Sequence, residues 1–218
     1  MLTNLFSSFD PSTSFGIQIN WILTILILMM LPNKFWFIES RMSILKMILG
    51  NFIEKKMKFI YFNKQFIQNM KSMFLLILTM NLTGLTPYVF TPSSHLSVSL
   101  ALSLPIWISL MTFSWSNFTN LMFAHLLPIS TPTLISPFMI LVESISNLIR
   151  PISLSVRLTA NMIAGHLLLT LLGNINSINT IWLIMILQIV MVMFEIAVAM
   201  IQAYVFTILM TMYSSEIP

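Results

Sequence analysis

The sequence predicts an all-α integral membrane protein. It has about five membrane-crossing helices, one amphipathic surface helix, and a long, steeply tilted helical hairpin at its end. Three observations predict this. First, 57 % of the 218 residues are hydrophobic and only 7 % are charged. A soluble domain carries roughly 25 % charged residues, so these are too few to cover a surface facing water. The same composition excludes a disordered chain. Second, the apolar runs are continuous rather than alternating, which favours an all-α bundle over a β-barrel. Third, eight of the ten Lys and Arg residues are packed between Lys34 and Lys71. That cluster reads as a loop retained on the synthesis side of the membrane, not as a nucleic-acid site. The chain reads as a single membrane domain, residues 1–218.

The elements follow in order. Residues 1–16 are polar enough to lie outside the bilayer. Residues 17–31 form a first span, with Trp21 near one end and Pro32 and Asn33 closing it. The run is short against the ~20 residues a span needs. Residues 33–71 are the basic segment. Apolar pairs recur at Ile44-Leu45, Ile48-Leu49, Phe52-Ile53 and Phe59-Ile60. This spacing suits an amphipathic helix on the membrane surface with lysines on its wet face. Residues 72–116 read as a two-span hairpin. Its second helix contains Pro105, which is tolerable in a membrane when neighbours satisfy the freed carbonyl. Residues 116–131 are polar and read as a loop.

Residues 132–213 read as a hairpin of two long helices, over 132–172 and 181–213, joined by an Asn- and Ser-rich turn. At ~1.5 Å per residue they reach about 60 and 50 Å. The hydrocarbon core is only ~30 Å thick. The helices must tilt steeply or break at Pro137 or Pro151. Counting from the basic loop, the N-terminus lies outside and the C-terminus inside.

Other features limit the chemistry. There is no cysteine, so disulfides, thiolate metal sites and Cys nucleophiles are excluded. The first basic residue is Lys34, so neither a signal peptide nor an Arg-rich transit peptide is expected. His95, His125 and His166 are too dispersed for a local zinc or haem site. No Gly-rich phosphate loop is present. No cofactor is expected.

The charges beyond position 71 are few. Glu143, Arg150, Arg157 and Glu195 lie in the long helices, and Glu216 lies in the tail. A charge at the bilayer centre costs at least ~3 kcal/mol, and arginine cannot escape by losing its proton. Glu143, Arg150 and Arg157 are seven apart and share one helix face, with Asn147 and Asn161 on the same stripe. Gln188, Glu195 and Gln202 form a matching stripe on the second helix. Intramembrane ionisable chains are typical of proton and ion paths. The alternative is a structural or ion-coupled transport subunit of another respiratory membrane complex. In that case the charges could simply pair, for example Arg157 with Glu195. The inverted repeats of many transporters are absent from the sequence.

The stretch Ser155-Val156-Arg157-Leu158-Thr159-Ala160-Asn161-Met162-Ile163-Ala164-Gly165-His166 resembles the signature of subunit a of the F-type ATP synthase in its mitochondrially encoded, insect- or arthropod-like form. The segments 81–88, 94–107, 125–128, Glu143-Ser144-Ile145-Ser146-Asn147 and 195–206 are also similar to that family. The resemblance covers nearly the whole chain and is weakest over residues 46–69.

It implies a proton-translocating stator subunit with two half-channels serving carboxylates on a rotating ring of c subunits. Arg157 would face that carboxylate, flanked by Asn161 and Gln202. His166 and Glu195 would take up protons on the outer side, and Glu143 would serve their exit. Arg150 receives no role beyond the exit side or an anionic lipid contact. No catalytic site is expected on this chain. The implied partners are the c-ring, the peripheral stalk, other Fo membrane subunits and the lipid bilayer, including anionic lipid. A dimer of the whole complex is also implied. The implied place is the mitochondrial inner membrane, with the N-terminus in the intermembrane space and the C-terminus in the matrix.

Overall fold

The computed structural model describes residues 6, 9–12, 18–29, 39–61, 63–86, 89–127, 132, 134–174 and 181–216. Among them there are helices and turns but no strand. The chain is an all-α membrane protein. The helices are α1 (Ile22–Met29), α2 (Arg41–Ile60), α3 (Lys64–Gly84), α4 (Leu96–Asn117), α5 (Thr119–His125), α6 (Ser136–Gly173) and α7 (Ile181–Ser215). Among the described residues, α4, α6 and α7 are long and apolar enough to cross a membrane.

α1 follows a 3-10 turn, Ile19–Trp21. Trp21 packs edge-on against Phe90 at 5.5 Å and lies 5.1 Å from the His95 ring. This fixes α1 to the start of α4. Pro32 and Asn33, expected to end the first span, lie outside the described residues, as do residues 175–180 of the long hairpin's turn.

The basic segment departs from the sequence expectation. It is not one surface helix followed by a span at residue 72. It splits into α2 and the first turns of α3, because two caps fall inside it. Tyr61 adopts an extended conformation (φ −141°, ψ 137°), which stops α2. The Asn63 side chain accepts from the Gln65 N–H, which starts α3. Neither event needs Gly or Pro, so composition alone hid the turn. The apolar pairs divide as well. Ile53 and Met57 are buried, whereas Leu45, Ile48, Phe52 and Phe59 remain exposed.

The polar segment 116–131 also contains a helix, α5, where a loop was expected. Its run Leu-Met-Phe-Ala consists of adequate helix formers, and Asn117 and Asn120 were too weak a signal against it.

The core joins α2 (Ile53, Met57), α3 (Ile67, Met70, Phe74, Ile77), α6 (Leu154, Leu158) and α7 (Ala203, Phe206, Met210). α3 packs chiefly against α7, and α4 against α6. The buried residues of α4 are Ser99, Ser103 and Ser114. Small side chains let helix backbones approach closely where lipid supplies no hydrophobic drive.

α6 is unbroken through the buried Pro151. At ~1.5 Å per residue, its 38 residues and the 35 of α7 give lengths of about 57 and 52 Å. Both exceed the ~30 Å core, and neither helix breaks at a proline. Gly165 meets Glu195, Asn161 meets Gln202, and Arg150 meets Glu216. Numbers fall on α6 as they rise on α7, which is antiparallel packing.

Candidate functional site: two cavities on the α6–α7 hairpin

The polar stripes of α6 and α7 do meet. Asn161 Nδ2 donates to Gln202 Oε1 at 3.0 Å. Two turns earlier on α7, Glu195 is buried, and neither carboxylate oxygen has a hydrogen-bond partner among the described residues. Its position depends on Gly165. A Cβ there would stand 2.9 Å from Glu195 Cδ and from Oε1. Only glycine lets the carboxyl lie flat against α6.

These residues line a cavity of ≈280 Å³, together with Leu158 and Asn81 of α3. Asn81 is fully buried, and neither atom of its amide group is hydrogen-bonded. Buried polar groups are almost always paired, with protein or with ordered water. A cavity of this size holds several waters at ~30 Å³ each.

The second cavity lies at the other end of the hairpin. Its volume is ≈470 Å³, and its lining includes Trp107, Glu143, Asn147, Arg150, Tyr213 and Glu216. Arg150 organises it. Its guanidinium pairs with Glu216, lies 3.8 Å from Glu143, and sits 4.8 Å from the centroid of the Tyr213 ring. The seven-residue step from Glu143 to Arg150 therefore yields a contact along one helix, and Glu216 closes it from α7.

Arg157 lies between the two groups along α6, about 10 Å from Arg150 and 6 Å from Asn161 by helical rise. It is exposed and has no hydrogen bond or ion pair with any described residue. No pair with Glu195 forms. The exposed positions around it are Val156, Ala160, Asn161 and Ala164, all small or medium. Ile149, Ile152, Leu168 and Leu171 are exposed beyond them. The result is a shallow, small-residue patch with one cation at its edge.

His166 stands apart from the cavity that Gly165 lines. Its ring is edge-on to Phe9 at 6.1 Å and faces the Gly84 backbone carbonyl. Its Nε2 is buried without a partner. The structure thus joins Asn161, Gln202 and Glu195, joins Glu143 to Arg150, and leaves Arg157 and His166 outside both cavities. Sequence reasoning missed Asn81, Gly165, Tyr213 and Glu216 as participants. Asn81 carried a signal, as a carboxamide inside the apolar half of α3. Among the described residues, no three His, Asp or Glu side chains converge on a metal position.

The chain matches the family model described as ATP synthase A chain over residues 15–215. It is similar to the ATP synthase subunit a of Drosophila melanogaster, with 48 % identity over 232 residues. It is 48 % identical over 224 residues to that of Locusta migratoria, and 46 % over 226 to that of Aedes aegypti. Each of these alignments spans 100 % of both proteins.

Proposed function

The chain belongs to the ATP synthase A chain family, and from that premise we propose that it is the proton-conducting stator subunit, its two cavities acting as the half-channels that load and unload a rotating ring of c subunits. The observation that carries this reading is the placement of Arg157. A permanent cation is exposed, unpartnered and set between two separate cavities, one mostly apolar but holding Glu195, Asn161 and Gln202, the other lined by Glu143 and Arg150. A buried-side ion pair would have placed it against Glu195, and that pair is absent.

The chemistry follows from the residues. The cavity of Glu195, Asn161 and Gln202 takes up a proton from the outer side. Glu195 has no protein donor to its oxygens, so it exchanges its proton with the water that fills the space. His166, about 13 Å beyond Arg157 along α6, serves the outer approach to this cavity. The cavity of Glu143 delivers the proton to the inner side.

Arg157 faces the ring carboxylate. An opposite charge nearby favours the ionised form, so the carboxylate releases its proton as it passes. The same cation bars direct passage between the cavities. The small patch of Ala160 and Ala164 admits the ring helices closely. The chain itself carries no catalytic site, and nucleotide chemistry falls to other subunits. Its partners are the c-ring, the peripheral stalk and other Fo subunits, in the mitochondrial inner membrane. Its N-terminus faces the intermembrane space and its C-terminus the matrix. Dimers of the complex are compatible with its exposed apolar faces.

The test is ATP-driven proton pumping by the assembled complex carrying Arg157→Lys. Lysine keeps the charge but loses the planar fork. Pumping falls to background while assembly is retained. Normal pumping would remove Arg157 from the path and with it this reading.

A further inference from the structure

The basic segment has no part in the proton path, yet it builds a defined crevice. Between α2 and α3 lies a space of ≈410 Å³ lined by Glu54, Lys58, Lys64, Ile67, Gln68 and Lys71. Lys64, Gln68 and Lys71 are spaced to share one face of α3. Lys58 Nζ lies 2.7 Å from Glu54 Oε1, and Lys71 Nζ 3.1 Å from Glu54 Oε2. Lys71 also donates to Asn51 Oδ1 at 3.2 Å. Its stem crosses α2 at Gly50, where a Cβ would stand 2.4 Å from Lys71 Cε. Three lysines and one carboxylate therefore line the crevice, two of the lysines paired with that carboxylate.

Two further features say what fits. α3 is charged through Lys71 and chiefly apolar from Phe74 to Met80, so the crevice sits at the junction of its charged and its apolar parts. On α2, Leu45, Ile48, Phe52 and Phe59 form an exposed apolar stripe opposite the face buried by Gly50, Ile53 and Met57. Lys55 and Lys56 flank that stripe. An apolar stripe bordered by lysines suits the boundary between headgroups and acyl chains, and basic pockets beside membrane helices suit anionic headgroups.

We propose that the α2–α3 crevice binds the phosphate headgroup of an anionic phospholipid in the leaflet on the chain's basic side, with Lys58 and Lys64 as its movable cations and Lys71 as its fixed one. The exposed apolar stripe of α2 sits at the same headgroup–acyl boundary as that lipid. Glu54 orients Lys58 and Lys71 and opposes the headgroup's charge.

The experiment measures phospholipid retained by the purified, assembled complex and its exchange with anionic phospholipid added to the detergent. Each lysine near an anionic surface accounts for about fivefold in binding. Lys58→Gln with Lys64→Gln weakens retention at this site about thirtyfold. Arg41→Gln, at the far end of α2, leaves it unchanged. Glu54→Gln acts in the opposite direction and tightens retention, which no loss of structure would produce. Equal retention in wild type and the double variant would overturn the proposal. So would displacement of the lipid by inorganic phosphate alone, or capture of another subunit rather than lipid by a photo-crosslinker at position 64.

Discussion

Arg150 and Arg157 stand on one helix, seven residues apart, and their surroundings differ in kind. Arg150 is enclosed by two carboxylates and a tyrosine ring. Arg157 is exposed and has no partner among the described residues. An arginine with its counter-charges inside the chain holds the chain together. An arginine without them is free to meet a counter-charge on another molecule, which is the role proposed for Arg157. The comparison teaches that position on the stripe does not decide the role. What closes around each cation decides it.

The largest expected effect breaks the comparison directly. Arg157→Gln abolishes ATP-driven pumping, whereas Arg150→Gln leaves it within severalfold of wild type. The exposed ion pairs of Arg150 are worth roughly 0–1 kcal/mol each, and its contact with Tyr213 about as much. Thermal unfolding of the assembled complex should therefore shift slightly for Arg150→Gln and not at all for Arg157→Gln. Equal loss of pumping in the two variants would erase the distinction.

The next effect compares two glycines of α6. Gly165→Ala puts a methyl group against Glu195, 2.9 Å from its Cδ. The carboxyl must move, and misplacement of a reacting group by up to an ångström costs up to about a hundredfold. Proton conduction through the reconstituted complex drops by roughly tenfold or more. Gly173→Ala meets nothing within 4 Å and leaves conduction unchanged.

Asn81 gives a smaller effect with an unusual signature. Its amide is buried without partners, and replacing such a group with an apolar one of similar size is neutral or stabilising. Asn81→Leu raises the unfolding temperature of the complex or leaves it unchanged, yet slows conduction severalfold by drying the Glu195 cavity. A variant that conducts normally would show that water in that cavity does not need Asn81.

These residues also mark how far the sequence could be read. The long hairpin was legible because α7 lacks both Gly and Pro, and because Pro137 falls at the start of α6. Seven-residue spacing correctly put Asn161 and Gln202 on facing stripes. Glu216 as a partner of Arg150 was not legible, since it lies 66 residues away and only the antiparallel register of α6 and α7 brings it near. Asn81 stood out in the sequence only as a carboxamide in an apolar run; its place beside Glu195 was hidden for the same reason, on a helix that meets α6 and α7 only in the fold. The role of Gly165 depends on a contact, and a contact leaves no trace in composition. The split of the basic segment turns on the caps at Tyr61 and Asn63, which the lysines on both sides mask in the sequence.

The smallest effect lies outside the membrane path. Hydrogen bonds from Lys58 and then Lys71 hold the Glu54 carboxyl below its usual value of 4.5. A depressed folded-state value means that the ion pair stabilises the α2–α3 hairpin fully above 4.5. That contribution is lost as pH falls through the lower, folded-state value. The pair is largely solvated, so its worth is at the small end for surface ion pairs. Limited proteolysis between α2 and α3 of the intact complex should therefore be constant from neutral pH down to about 5 and rise below that. Glu54→Gln should flatten the acid rise without changing proton pumping, which would separate the lysine crevice from the Arg157 path as two independent electrostatic systems on one chain.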